Sequence, residues 1–218
     1  MLVIDLQRMA YRPAWEQQEE AHEAVAAGGE ERLILVEHEP VITFGRRGVS
    51  KNLVAGGEQL AAMGVEVVQS DRGGDVTFHG PGQIVAYPIV RLADHGLMVG
   101  SYVRRLLEAV VATLADFGIA GKIDRSAIGV WTDLPGGESG RAGESAKICA
   151  LGVRIRRGVS LHGIALNVST DLRYFNLIVP CGLARPVTSM RQILGDGTPG
   201  MEAVKGSLVR HLKEAFAP

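Results

Sequence analysis

Apolar residues recur along this chain at two spacings. Between residues 97 and 117, Met98, Val103, Leu106, Leu107, Val110, Val111 and Leu114 repeat at helical intervals and Gly118 supplies a stop, which predicts a helix with one apolar face. Residues 13–27 predict an earlier helix, opened by Pro13 and ended by Gly28-Gly29, and residues 201–216 a closing one. Shorter β-type runs at 2–6, 32–37, 41–44, 65–68 and 127–132 predict strands, with a short helix at 57–63. Residues 74–90 alternate strand-like runs with glycine and proline breaks, as a hairpin does. Residues 147–168 predict a second hairpin turning at Arg157-Gly158. The polar, glycine-rich stretch 133–146 (DLPGGESGRAGESA) reads as a mobile loop. No internal repeat is visible. The expectation is an α+β fold, a mixed sheet with helices packed on it, as one domain over 1–218.

Composition narrows the class. A chain of 218 residues can bury a sizeable core, and 46% hydrophobic residues is ordinary for a globular protein. Glycine is not ordinary: 28 residues is roughly 13%, against an average of about 7%, and points to tight turns or close backbone approach. A net charge of −1 and a pI of about 6.6 give no basic field, so nucleic acid is a poor partner. The first residues, MLVIDLQRMAYR, lack an export signal, and the longest apolar runs, such as 106–114, fall short of the about 20 residues a membrane span needs. Two cysteines, Cys149 and Cys181, do not make a disulfide scaffold, so a reducing, cytoplasmic setting without a membrane is expected.

Three places carry candidate chemistry. Arg72-Gly73-Gly74-Asp75-Val76-Thr77-Phe78-His79-Gly80-Pro81-Gly82-Gln83 gathers glycines that let backbone N–H groups approach a ligand with an arginine and a histidine that can contact polar groups. A glycine-rich hairpin with an exposed histidine is the plainer reading of the same residues, and the segment matches neither phosphate-loop pattern. Cys181 sits between Pro180, which fixes the chain, and Gly182, which frees it, a setting in which a thiol is often accessible. Cys149 lies in the strand-like run KICALGV and is expected to be a packed, unreactive thiol. Lys147 opens that run. Alone it reads as a snorkelling surface lysine, but a lysine desolvated beside a thiol stabilises the thiolate.

Together these blocks resemble the lipoate-protein-ligase-B family, the octanoyl-[acyl-carrier-protein]–protein octanoyltransferases. Arg72, Gly73, Gly74, Thr77, Phe78, His79, Gly82, Gln83, Val85 and Tyr87 match the family's R-G-G-x-x-T-aromatic-H-x-x-G-Q-x-V-x-Y pattern. Lys147-Ile148 with Leu151-Gly152-Val153-Arg154, then His162-Gly163-Ile164-Ala165-Leu166-Asn167-Val168, then Pro180-Cys181-Gly182-Leu183 with Val187-Thr188-Ser189, follow in family order. The resemblance runs from about residue 32 to the C-terminus. Cys149 departs from it, standing where a small residue such as alanine is expected, and the 134–146 stretch is longer than the family norm.

The resemblance implies a set of roles. Cys181 matches the acyl-thioester nucleophile and Lys147 the lysine that activates it. Arg72, Gly73, Gly74, Asp75, Val76, Thr77, Phe78 and His79 match the substrate-binding loop. Ala150, Leu151 and Gly152, with Gly163, Ile164 and Ala165, match stretches lining the acyl pocket, where Gly152 and Gly163 are expected to leave room for the chain. The implied fold is a mixed-sheet sandwich like the catalytic domains of biotin and lipoate ligases. The implied donor is octanoyl-acyl carrier protein. The implied acceptors are lipoyl domains of 2-oxoacid dehydrogenases and the glycine cleavage H protein. No cofactor and no metal are implied.

Both protein substrates so implied tend to be acidic, which gives meaning to two local basic clusters, Arg46-Arg47 and Arg154, Arg156, Arg157. Each reads either as a solvated face or as a docking patch for the carrier. Other readings remain at this stage. An ATP-dependent lipoate or biotin ligase shares the fold but needs no cysteine. A cysteine protease has no matching motif around Cys181. A non-catalytic acyl-carrier-binding module keeps the pocket but does not need both Cys181 and Lys147.

Overall fold

The computed structural model describes residues 1–217 apart from Arg125, 136–143 and 180–184; the side chain of Lys51 is also outside the description. Most of the glycine-rich 133–146 loop and the whole Cys181 turn thus lie outside the described residues.

The chain opens with β1 (Leu2–Met9), α1 (Tyr11–Ala26) and β2 (Arg32–His38), and β1 pairs parallel to β2 across the helix. Alternation then sorts each central strand between two layers. In β2, Leu33 and Leu35 face one core and Ile34 and Val36 the other; in β6 (Gln83–Ile89), Ile84 and Ala86 oppose Val85, Tyr87 and Ile89. The first face is covered by α3 (Val99–Ala115) and α5 (Met201–Ala215), whose apolar stripes include Leu106, Val110, Leu208 and Leu212. The second is covered by α1 through Ala14, Ala21 and Val25. The seven-stranded sheet runs β1-β2-β6-β10-β9-β8-β7, with β7 (Lys122–Ile123), β8 (Val130–Asp133), β9 (Ser145–Arg156) and β10 (Val159–Asn167). All its pairs beyond β1–β2 are antiparallel.

A second sheet has three strands in the order β4-β3-β5: β3 (Val41–Phe44), β4 (Glu66–Gln69) and β5 (Val76–His79). The short α2 (Gly57–Ala62) and the turn Leu172–Leu177 pack on it. The mixed-sheet α+β expectation holds. The expected hairpin over 74–90 does not: β5 pairs with β3, whereas β6 pairs with β2 and β10. Gly80-Pro81-Gly82 lets the chain leave one sheet and enter the other, with Gly82 at φ +81°. The second hairpin forms as expected: β9 and β10 pair from Val159–Arg156 to Leu166–Cys149 around Arg157-Gly158. The helix α4 (Met190–Leu194), capped by the Ser189 hydroxyl accepting from the Gln192 N–H, has no counterpart in the sequence expectation.

Candidate functional site

A cavity of about 670 Å³ lies where β9, β10 and the 72–79 loop meet, within the size range of small-molecule sites. Of the residues singled out from sequence, Arg72, Gly73, Gly74, Asp75, Val76, Thr77, His79, Lys147, Ala150, Leu151, Gly152, Gly163, Ile164 and Ala165 all line it. Phe78 does not. Strand alternation turns it into the core of the small sheet, where it stacks on Tyr174 with ring centroids 4.6 Å apart. On β9 the lining consists of Lys147 and, beyond the buried Ile148 and Cys149, residues 150–153.

The glycines act differently from expectation. A Cβ on Gly152 would lie 2.7 Å from the Gly73 carbonyl oxygen, and one on Gly163 only 2.1 Å from that of Ala86. They admit neighbouring backbone, not an acyl chain: Gly152 lets the 72–75 loop lie flush on β9, where Gly73 N–H donates to Val153 O at 3.0 Å. The same loop is held from within by the buried Arg72. Its Nε donates to Thr43 Oγ1 at 3.0 Å, and its terminal nitrogens donate to the carbonyls of Thr43, Gly73 and Asp75. This guanidinium shapes the cavity wall by tying it to β3.

Lys147 enters the cavity beside Trp131. Its Nζ donates to Ile128 O at 3.1 Å and sits 5.0 Å from the centre of the Trp131 ring. Gly129, at φ +147°, makes this possible, since a Cβ there would meet Cys149 O at 2.7 Å and the Lys147 stem at 3.2 Å. The Lys147 backbone is bridged to the chain that follows residues 180–184: its N–H donates to Pro186 O and its carbonyl accepts from Thr188 N–H, both at 2.9 Å. On the other side of those residues, Val179 N–H donates to Asn52 O at 2.8 Å. Arg185 stacks on Trp131 at 3.6 Å and pairs with Asp124 at 2.6 Å. Cys181 itself lies outside the described residues. Cys149 is fully buried, and burial pushes its thiol up to about 12, as a packed, protonated cysteine.

Sequence reading missed a buried hydrogen-bond chain. Asn167 Nδ2 donates to Thr188 O at 3.0 Å, so Asn167 Oδ1 is left to accept from Gln83 Nε2 at 2.8 Å. Gln83 Nε2 also donates to Phe78 O at 3.3 Å, so Gln83 Oε1 accepts, and His79 Nδ1 must be the protonated nitrogen that donates to it at 2.8 Å. The chain links the 72–79 loop to the backbone pair that holds Lys147. Burial, with the nearby His38 ring and Arg72, pushes the His79 pKa well below its ordinary value and keeps the ring neutral.

Of two further buried histidines, His162 lines the cavity and His38 lies behind it beside Tyr87. His38 donates from Nδ1 to Met9 O at 3.1 Å and accepts at Nε2 from the Tyr87 hydroxyl at 2.7 Å; burial takes it down to about 4. His162, at φ +57°, contacts Asp71 at 2.6 Å, which alone would favour a charged ring. Burial and the cations Arg72 and Arg154 outweigh that contact, Asp71 being also paired with Arg154, and His162 falls to about 3. No sequence period marks His38. It follows Glu37 at the end of a strand whose middle is apolar. Among the described residues no group of three or more metal-ligating side chains comes together.

The model of the family described as the lipoyl protein ligase A/B catalytic domain matches residues 10–213. An octanoyltransferase of Chloroflexus aggregans is 45% identical over 99% of this chain and 95% of its own length. One of Bacteroides fragilis is 43% identical over 99% of this chain and 97% of its own. Among solved structures, a bi-partite lipoate protein ligase from Thermoplasma acidophilum superposes with a TM-score of 0.70 at 18% identity, covering 98% of this chain and 84% of that one. Biotin protein ligase from Aquifex aeolicus superposes at 0.54 with 10% identity, over 99% and 68%. The two structural likenesses show the fold.

Proposed function

The chain belongs to the lipoyl protein ligase A/B catalytic-domain family, and from there we propose that it moves an octanoyl group from octanoyl-acyl carrier protein to a lysine of a lipoyl domain through a thioester on Cys181. The acceptors fitting this reading are the lipoyl domains of 2-oxoacid dehydrogenases and the glycine cleavage H protein, and the setting is cytoplasmic. No described helix is long and apolar enough to cross a membrane.

The observation that carries the reading is the place of Lys147: in the cavity with the substrate loop, and backbone-paired with residues 186–188, which closely follow Cys181 in the chain. In the first half-reaction the Cys181 thiolate attacks the thioester carbonyl carbon. A new C–S bond forms, the bond to the carrier's sulfur breaks, and the leaving thiolate takes a proton from the Lys147 ammonium, which is left neutral. A free thiol of pKa about 8.5 is mostly protonated at neutral pH, and the Lys147 ammonium favours its thiolate. In the second half-reaction the acceptor amine, of ordinary pKa about 10.4, attacks the acyl-enzyme. The amide bond forms, the bond to Cys181 breaks, and neutral Lys147 takes the amine's proton. Thioester exchange is nearly isoenergetic and amide formation runs downhill, so ATP is not required. The apolar walls around Ala150, Leu151, Ile164 and Ala165 suit the aliphatic chain.

Initial-rate kinetics with both protein substrates test this. Parallel double-reciprocal lines, no stimulation by ATP and loss of turnover in Lys147→Ala are expected. Octanoate-dependent turnover that requires ATP would instead identify a ligase on the same fold.

A further inference from the structure

Sequence leaves two basic clusters on equal footing, and the structure separates them. Arg154 pairs with Asp71, Arg156 with Glu19 and Glu23, and Arg157 with Glu23. Arg156 and Arg157 tie the β9–β10 hairpin to α1, Arg154 ties β9 to the loop before Arg72, and all three are neutralised where they stand. Arg46 and Arg47 are exposed, and no carboxylate among the described residues lies within the 4.0 Å of an ion pair. Most other described arginines do have such a partner, including Arg8, Arg12, Arg91, Arg173, Arg185 and Arg210.

Their backbone is rigidly placed. Arg46 N–H donates to Arg72 O at 2.9 Å and Arg47 N–H to Gly74 O at 3.0 Å, so both ride on the substrate loop, and Arg47 lines the cavity. Exposed apolar side chains gather at the same margin. Val49 and Val54 flank the turn Ser50–Asn52, Val179 is joined to Asn52, and Ile128 stands by Lys147. They are 43%, 62%, 37% and 51% exposed, an unusual concentration beside two uncompensated charges. Such a margin, apolar with a cationic edge, complements an acidic protein surface better than it does solvent.

We propose that Arg46 and Arg47, with Val49 and Val54, form the docking surface for the acidic carrier protein that presents the acyl thioester. The inference rests on the transfer reading above. It assigns the donor, not the acceptor, to this side because both arginines are fastened to the loop that walls the acyl cavity. Docking there steers a negatively charged carrier so that its thioester enters beside Lys147, and the effect weakens as salt screens it over about 10 Å.

The test compares kcat/KM for octanoyl-carrier protein, octanoyl-coenzyme A and octanoyl-pantetheine in wild type and in the double variant Arg46→Glu/Arg47→Glu. The ratio of carrier to pantetheine is expected to fall at least tenfold, through KM, with most of its salt dependence lost. In Arg157→Glu, a charge already neutralised, that ratio is expected to hold. An unchanged ratio in the double variant overturns the proposal. So does an equal fall with coenzyme A, which means that the arginines read a phosphate, or a rise in KM confined to the lipoyl acceptor. Wild-type protein that transfers from none of the three donors would sink the transfer reading itself.

Discussion

The two faces of the large sheet are made by the same strands yet bury different chemistry. Under α3 and α5 the core is apolar, and its hydroxyls are satisfied locally: Thr113 donates to Ala109 O in its own helix, and Tyr102 to Pro88 O. Under α1 and towards the small sheet lie Gln18, His22, His38, His79, Tyr87 and His162, all buried and each with at least one hydrogen bond, and all but His22 either line the cavity or bond to a residue that lines it. Buried polar groups stabilise little and cost much when unpartnered, so a face rich in them is shaped by what it holds. The first face supplies stability and the second positions the site.

Leu208→Ala on the apolar face should cost about 2–5 kcal/mol in urea unfolding, with kcat per folded molecule unchanged. An equal fall in kcat would break the division. Asn167→Ala should behave oppositely. Breaking the chain from His79 to the Lys147 backbone is expected to lower kcat by roughly a hundredfold, with little change in donor KM and a stability loss of only about 1–3 kcal/mol. A large loss of stability with normal turnover in the folded fraction would make Asn167 merely structural.

Acid sharpens the contrast further. His38, His79 and His162 have pKa values held below the ordinary 6.5, His38 at about 4 and His162 at about 3. The unfolded chain binds their protons first as pH falls, so their contribution is full above pH 6.5 and is lost on descending through the folded values. Each adds a slope of up to about 1.4 kcal/mol per pH unit. Denaturation midpoints measured from pH 7.5 to 4.5 should fall accordingly, and more shallowly in His38→Gln. An identical slope in that variant would remove His38 from the account.

The elements legible in sequence were those whose local period agrees with their burial: α1, α3, α5 and the β9–β10 hairpin all lie within a few residues of expectation. The β5–β6 hairpin was misread because strand-turn-strand chemistry is local, whereas choosing between two sheets depends on partners such as β3 and β10. Cavity residues were legible through resemblance, and their physical roles were not. Gly152 and Gly163 look like space in a sequence, and only the facing carbonyls of Gly73 and Ala86 reveal close backbone approach. Gln83 and Asn167 stand 84 positions apart, so their bond leaves no trace in spacing. Gly129 was overlooked for the same reason, its neighbours being Cys149 and Lys147 on another strand. The smallest effect expected is for Cys149→Ala, at most about 1 kcal/mol in stability with unchanged turnover, since its buried thiol is protonated near neutral pH.

The most direct measurement is the intact mass of the protein after mixing with octanoyl-acyl carrier protein, without ATP or acceptor. A gain of one octanoyl group, kept in Cys149→Ser and lost in Cys181→Ser, is the predicted result. Folded protein that turns over with a lipoyl domain yet never gains that mass, or gains it in Cys181→Ser, would contradict transfer through Cys181.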